Sequence, residues 1–155
     1  MLERSPSFVQ DMIKRLSVCL PGRRGFYSLA FGGDDGSVGV VHFRLRGDGV
    51  EEVGRAGVEQ AHWASARSIW MSGRHIISTS GDQAVRLWRM GENEGGGGGG
   101  ELEAVAKYYL DFAEPAALSV AEQSNSLVGG RRRAQLSYIV AVGGHGLSLS
   151  SVRIV

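Results

Sequence analysis

The sequence predicts an all-β protein built from repeated antiparallel units. Short runs rich in β-branched and aromatic residues are separated by turn signals, and these turns recur at similar intervals. Glycine is unusually frequent, with 24 of 155 residues, which is typical of all-β chains with many tight turns. The hydrophobic content of 43% is that of a globular protein, so the chain can form a packed core.

Charge and cysteine content narrow the function classes. The formal net charge is only +1, which gives no global electrostatic argument for nucleic-acid binding. The single cysteine, Cys19, excludes an intrachain disulfide and a multi-cysteine metal site. No apolar run reaches the ~20 residues that span a bilayer. We therefore expect a cytoplasmic protein with no membrane contact.

The first 25 residues differ from the rest of the chain. Pro6 is placed to start a helix. Apolar residues share one helical face over the next turns, at Phe8, Val9, Met12, Ile13 and Leu16. We expect residues 1–25 to be a short helical or disordered leader, and residues 26–155 to form the β domain.

The first unit of the β domain contains a hairpin. Strands are predicted at residues 26–31 and 38–43, and Asp35-Gly36 lies in the turn between them. Asp-Gly between two β-rich runs is a strong hairpin signal because glycine adopts the positive φ that such turns need. Residues 44–60 are glycine-rich and predict only a weak strand within a polar loop.

The second unit repeats this plan. Strands are predicted at residues 66–71, 75–80 and 85–89, with a turn at residues 81–83. Six consecutive glycines follow at residues 95–100. Such a tract cannot pack and loses much entropy on ordering, so we expect a disordered loop near 91–101.

The third unit has strands predicted at residues 104–112, 117–121, 138–142 and 147–155, with a turn around His145. A second disordered loop is expected near 123–135. Asp35 and Asp82 lie about 47 residues apart, and Asp82 and His145 about 63. The first spacing is near the ~40–45 residues of one four-stranded propeller blade, and the second comes near it when the two insertions between Asp82 and His145 are left out.

Four polar residues of the second unit form a candidate hydrogen-bonded set: His62, Ser78, Asp82 and Trp88. An indole N–H only donates, a serine hydroxyl donates and accepts, and a carboxylate only accepts, so the four can satisfy one another. A Ser-His-Asp catalytic triad is the competing interpretation. The chain lacks a Gly-x-Ser-x-Gly elbow and an obvious oxyanion loop, which favours the structural role and no enzyme activity.

Other candidate sites are weaker. The four histidines are scattered, and we predict neither a metal site nor a cofactor. Arg131, Arg132 and Arg133 are the candidate RNA contacts, although a solvated loop is the simpler expectation for them. Trp63 and Trp70 are candidate interface aromatics, for which packing within or between the units is the simpler expectation.

The second unit resembles a WD repeat. In that family a His before the first strand, a Ser or Thr in the second, an Asp in the next turn and a Trp in the third form a hydrogen-bonded tetrad. His62, Ser78, Asp82 and Trp88 match those places, and Trp88-Arg89 stands where the consensus has Trp-Asp. The resemblance implies a partial WD-repeat β-propeller of two to three four-stranded blades.

The order of several motifs is similar to the C-terminal part of the WD-repeat protein 6 family. The motifs lie at residues 32–38, 61–62, 76–88, 112–115 and 141–147. The most distinctive are Asp82-Gln83 in place of Asp-Gly and the final Gly-Gly-x-Gly-Leu at residues 143–147. The resemblance implies a noncatalytic scaffold, the accessory subunit of a tRNA ribose 2′-O-methyltransferase that acts at the wobble position. Its partners would be the catalytic subunit, which uses S-adenosylmethionine, the tRNA, and further propeller blades.

The chain departs from that family in length, and residues 1–25 have no counterpart in it. The units on either side also lack the tetrad, because Phe31 and Val41 take the Ser and Trp places and His145 replaces the Asp. A generic protein-interaction WD-repeat segment without an RNA role is the alternative, including a truncated gene product or fragment.

Overall fold

Eleven strands form three antiparallel sheets in the computed structural model, which describes residues 13–19, 25–91, 100–125 and 135–154. No helix occurs within these ranges, so the all-β prediction is confirmed for the described residues. None of the described elements is a helix long and apolar enough to cross a membrane.

In each sheet the strands lie side by side in the order in which they occur along the chain. Sheet 1 has the strand order β1-β2-β3-β4, and sheet 2 has the order β5-β6-β7-β8. Their bounds are Ile13–Cys19, Phe26–Gly33, Val38–Arg46 and Gly49–Val58, then Ala66–Ser72, His75–Ser80, Ala84–Met90 and Leu102–Tyr109. Sheet 3 has three strands in the order β9-β10-β11, with bounds Ala117–Asn125, Gln135–Gly143 and Leu147–Arg153.

The repeated unit predicted from the turns is present in the structure. Asp35, Asp82 and His145 each lie in the turn between the second and third strands of their sheet. Backbone pairing is antiparallel on both sides of these turns, with Ala30 opposite Val40 in sheet 1. This arrangement is compatible with a partial propeller.

The helical prediction for the leader is wrong where the structure describes it. Ile13–Cys19 form β1, which pairs with β2 through registers such as Leu16 with Phe31. The same residues also alternate, since Leu16 and Val18 flank Ser17, and pairing satisfies the backbone groups along the edge of β2. Long-range pairing therefore overrides the helical periodicity. Residues 1–12 and 20–24 lie outside the described residues.

Two further boundaries differ from the sequence prediction. Residues 49–58 form a ten-residue strand, β4, where only a weak strand was expected, because β3 offers it a continuous edge from Val38 to Arg46. The second predicted loop is shorter than 123–135, since β9 extends to Asn125 and β10 begins at Gln135. At the first loop, the amide of Gly91 donates to the carbonyl of Glu101 at 2.9 Å. Residues 92–99 and 126–134 lie outside the described part.

Two apolar cores lie between the sheets. The first joins sheets 1 and 2, with Ala30, Val38 and Val40 facing Met71 and Ile76, among other residues. The second joins sheets 2 and 3 and consists of Ile77, Val85, Leu87, Leu110, Tyr138, Val140 and Val142. Sheet 2 therefore presents one face to each neighbour, since successive strand residues such as Ile76 and Ile77 point to opposite faces.

The sheets approach one another most closely at their first strands. β5 contacts β1 and β2 on one side and β9 on the other, whereas β4 and β8 make a smaller contact. The connections that precede β5 and β9 also bond to the turn of the preceding sheet. The amide of His62 donates to the carbonyl of Gly36 at 2.9 Å, and that of Leu110 donates to Gln83 at 2.8 Å. These bonds fix the order of the three sheets.

Candidate functional site

The structure brings His62, Ser78, Asp82 and Trp88 together. His62 lies in the connection before β5, Ser78 in β6, Asp82 in the β6–β7 turn and Trp88 in β7. Ser78 pairs with Arg86, which places the Trp88 side chain diagonally from it on the same face of the sheet. Local strand pairing thus positions three of the four groups.

Short hydrogen bonds connect the four side chains. The Trp88 Nε1–H donates to Ser78 Oγ at 2.9 Å, and His62 Nε2 lies 2.8 Å from the same oxygen. His62 Nδ1 lies 3.2 Å from both carboxylate oxygens of Asp82. His62, Ser78 and Trp88 are almost fully buried, so these bonds replace hydration that the groups lose on folding.

Asp82 is held by two backbone amides as well as by His62. Its Oδ1 accepts from the Ala84 amide at 2.9 Å and its Oδ2 from the Trp63 amide at 3.0 Å. Burial raises the pKa of Asp82, but the bonds from Trp63, Ala84 and His62 outweigh it and lower that pKa overall. The carboxylate therefore stays ionised and accepts all three bonds.

The direction of donation follows from these charges. Burial lowers the pKa of His62 despite the opposing charge of Asp82, and the charge of Arg86 lowers it further. A neutral imidazole has one N–H, and because the carboxylate only accepts, we assign that proton to Nδ1. Ser78 then donates its hydroxyl proton to Nε2, so each donor in the set has one acceptor.

The distances from Ser78 to His62 to Asp82 are also those of a catalytic triad, which was the competing interpretation. A nucleophilic serine must reach a substrate, and Ser78 is 0% exposed. Its oxygen already accepts the Trp88 N–H. A groove of about 340 Å³ lies elsewhere, between β4 and β8, and is lined by Arg55, Ala56, Gly57, Gly100, Glu101 and Leu102. The geometry therefore favours a structural role for the four residues.

Sheet 1 replaces the polar set by packing. The Phe31 ring lies over Gly39, its cross-strand partner, where a side chain on Gly39 would overlap the ring. Asp35 keeps the bond within the turn, in which its Oδ1 accepts from the Ser37 amide at 2.9 Å. This turn matches that of Asp82 without the His, Ser and Trp partners.

The two candidate interface tryptophans have different environments. Trp70 is half-buried and packs edge-on against Tyr138, with ring centroids 5.2 Å apart, so it lies between sheets 2 and 3. Trp63 is 91% exposed, and the packing expected for it is wrong. Its backbone is fixed by the bond to Asp82 while its ring points into solvent, a consequence of following the buried His62 directly.

Sequence reasoning missed a second polar contact, between sheets 2 and 3. The Tyr138 hydroxyl lies 2.9 Å from His75 Nδ1, and Ser72 donates to Glu122 at 3.0 Å nearby. Burial and then the charge of Glu122 raise the pKa of Tyr138 to about 12, so the phenol keeps its proton. The sequence carries no local signal for this pair, whose members are 63 residues apart.

The remaining sequence predictions concern the three arginines and metal binding. Arg131, Arg132 and Arg133 lie outside the described residues. Within the described ranges, no group of three or more His, Cys, Asp or Glu side chains is arranged to hold a metal ion.

The chain matches no protein-family model and no curated protein.

Proposed function

We propose that this chain is a noncatalytic scaffold, formed by part of a WD-repeat β-propeller. The observation that supports it best is the buried set of His62, Ser78, Asp82 and Trp88, whose hydrogen bonds are used within the protein. Such bonds would hold the strands of a propeller blade together, whereas an enzyme would need Ser78 accessible. The four residues therefore stabilise the fold, and we expect the binding site for a partner on the surface instead.

The scaffold we propose acts in tRNA wobble-position ribose 2′-O-methylation, in the cytoplasm. Its partners would be the catalytic methyltransferase subunit, the tRNA and further propeller blades. This assignment rests on the motif order shared with the WD-repeat protein 6 family. Arg131, Arg132 and Arg133, on the segment between β9 and β10, are the residues we assign to tRNA phosphates. The methyl donor would bind the catalytic subunit.

One observation favours the alternative, a protein-interaction segment without an RNA role. Trp63 is 91% exposed although its backbone is held in place by Asp82. Tryptophan is enriched among residues that dominate protein–protein binding. An exposed indole on a fixed backbone suits a protein partner whether or not tRNA binds elsewhere.

Measurement of tRNA binding at several salt concentrations, with the catalytic subunit present, distinguishes the two proposed functions. We expect replacement of Arg131, Arg132 and Arg133 by Ala to weaken binding and to reduce the slope of log affinity against log salt by about 2–3, since each lost phosphate contact contributes ~0.7–0.9. The control replaces Arg46 and Arg89, which already pair with glutamates. Equal slopes for the two variants would exclude the three arginines as tRNA contacts, and no tRNA binding by the unsubstituted chain would leave the alternative.

A further inference from the structure

The outer edge of β11 is unpaired in the part of the chain that the structure describes. Sheets 1 and 2 each have a fourth strand beyond their third, whereas β11 is the last strand of sheet 3. The amide of Ile154 donates towards β10, to the carbonyl of Leu136 at 3.0 Å. Backbone groups alternate in direction along a strand, so those of Leu147, Leu149, Ser151 and Arg153 point away from β10.

The same alternate residues expose apolar surface. Leu147 is 79% exposed and Leu149 is 72% exposed. Edge strands are usually protected by a lysine, a proline or a bulge. β11 has none of these, and its pairing with β10 is regular from Leu147 to Arg153. The outer edge of β11 can therefore pair with a further strand.

In the other two sheets, an arginine near the end of the third strand meets a glutamate near the start of the fourth. Arg46 and Glu51 are 3.1 Å apart, and Arg89 and Glu103 are 2.8 Å apart. Arg153 occupies the corresponding end of β11 and is exposed. The structure gives it no ion pair among the described residues. Sheet 3 thus has the arginine of this ion pair. In sheets 1 and 2 the matching glutamate lies on the fourth strand.

We propose that the edge of β11 binds an extended segment of another polypeptide as the fourth strand of sheet 3. The segment would run antiparallel to β11, with a carboxylate at its start opposite Arg153 and large side chains at alternate positions opposite Leu149 and Leu147. Main-chain hydrogen bonds supply affinity in such strand addition, and the alternate side chains supply specificity.

The chain's own β8 shows which sequence fits. With Glu103 opposite Arg153, Lys107 falls opposite Leu149 and Tyr109 opposite Leu147. The Lys107 stem can cover one leucine and the Tyr109 ring the other. This interaction is independent of the tRNA role, because it depends only on the strand order of sheet 3.

A synthetic peptide with the sequence of residues 102–109 tests the proposal on the full chain. We expect saturable binding and slower amide hydrogen exchange at Leu147, Leu149, Ser151 and Arg153, whose N–H groups point outwards. The amides of Ser148 and Ser150 serve as internal controls, since they already face β10. A scrambled peptide that binds equally well, or protection that does not alternate along β11, would overturn the proposal.

Two matched variants examine the two parts of the contact. Ser151→Pro removes an outward N–H and no bond to β10, so peptide binding should be lost while the fold is kept. Arg153→Glu should weaken binding about 3–10-fold, as expected for exchanging one exposed ion pair for a repulsion. A peptide carrying Glu103→Lys should restore the affinity for the Arg153→Glu variant. It should not restore or raise the affinity for the unsubstituted chain. If the rescue fails, Arg153 does not select the strand and the proposed chemistry is wrong.

The oligomeric state gives an independent outcome. We expect a protein whose size in solution is unchanged by Ser151→Pro. A dimer that this variant converts to a monomer, and that the peptide does not dissociate, would show that a second copy covers β11 and would overturn the proposal.

Discussion

One buried hydroxyl group, that of Ser78, joins side chains that the sequence places far apart. It accepts a hydrogen bond from Trp88 and donates one to His62, which in turn donates one to Asp82. No step of this order can be reversed while Asp82 is ionised, because a carboxylate has no proton to donate. Removal of one member therefore leaves its neighbour unsatisfied in the core.

We expect Trp88→Phe to lower the free energy of unfolding by about 1–3 kcal/mol, since Ser78 Oγ loses a buried donor. Urea unfolding monitored by circular dichroism measures this change. Trp63→Phe is the matched control and should change stability by less than ~0.5 kcal/mol, because its ring is exposed. Equal stabilities for the two variants would show that the indole bond contributes nothing.

At the scale of elements, the turns between the second and third strands of sheets 1 and 2 each contain a residue in the left-handed conformation. Gly36 has φ of +85° and Gln83 has φ of +63°. Both carbonyls accept from the connection that enters the next sheet. Gln83 therefore tolerates the left-handed conformation that glycine adopts in sheet 1, and this is the structural context of the distinctive Asp82-Gln83 pair.

We expect Gly36→Ala to destabilise the protein by about 3 kcal/mol and Gly47→Ala by only about 1 kcal/mol. Both glycines have positive φ, which costs ~1–2 kcal/mol for alanine. A side chain at Gly36 would also overlap the carbonyl oxygens of His62 and Ala64, whereas Gly47 has nothing within 4 Å. Thermal unfolding of both variants compares them. Similar losses would mean that the connection to β5 yields to the added methyl group.

Strands with a local signal could be predicted from the sequence, and strands defined by a distant partner could not. β2 and β3 are marked by apolar runs around Asp35-Gly36, and β6 and β7 by those around Asp82. β1 fits a helical periodicity as well as a strand alternation, and β4 is rich in glycine and charge, so pairing with β2 and β3 decides that both are strands.

The same distinction applies to the polar contacts. The tetrad residues could be picked out because their offsets match a repeat whose bonding logic follows from donor and acceptor types. The contact of Tyr138 with His75 could not, because neither residue lies in a recognisable pattern and their proximity depends on how sheets 2 and 3 pack. Exposure of Trp63 was likewise invisible, since tryptophan is more often packed.

At the scale of the whole molecule, one buried and two half-buried histidines lie within and between the three sheets. His42 bonds to Ser28 within sheet 1, His62 joins sheets 1 and 2, and His75 contacts sheet 3. Burial lowers the pKa of each. For His75 the charges of Arg89 and Arg74 lower it further, and Glu122 opposes them. The folded protein therefore favours the neutral form of these three imidazoles.

We expect the protein to lose stability as the pH falls below about 6.5, the ordinary value for histidine. The unfolded chain takes up protons there before the folded chain does, so stability rises with pH in this window. Urea midpoints at about pH 5 and about pH 7.5 measure the effect. His62→Gln should reduce the difference, since one of the three groups is removed. A midpoint that is equal or higher at the acidic pH would contradict the prediction.

The hydrogen bond from Gly91 to Glu101 has a consequence for the gene as well as for the fold. Because it closes the glycine tract at its base, β7 and β8 meet in the same register whatever number of residues lies between them. Each doubling of such a loop costs only ~0.6 kcal/mol. Gain or loss of glycine codons, a common change in repetitive DNA, is thus nearly neutral for sheet 2, and the tract length is free to drift.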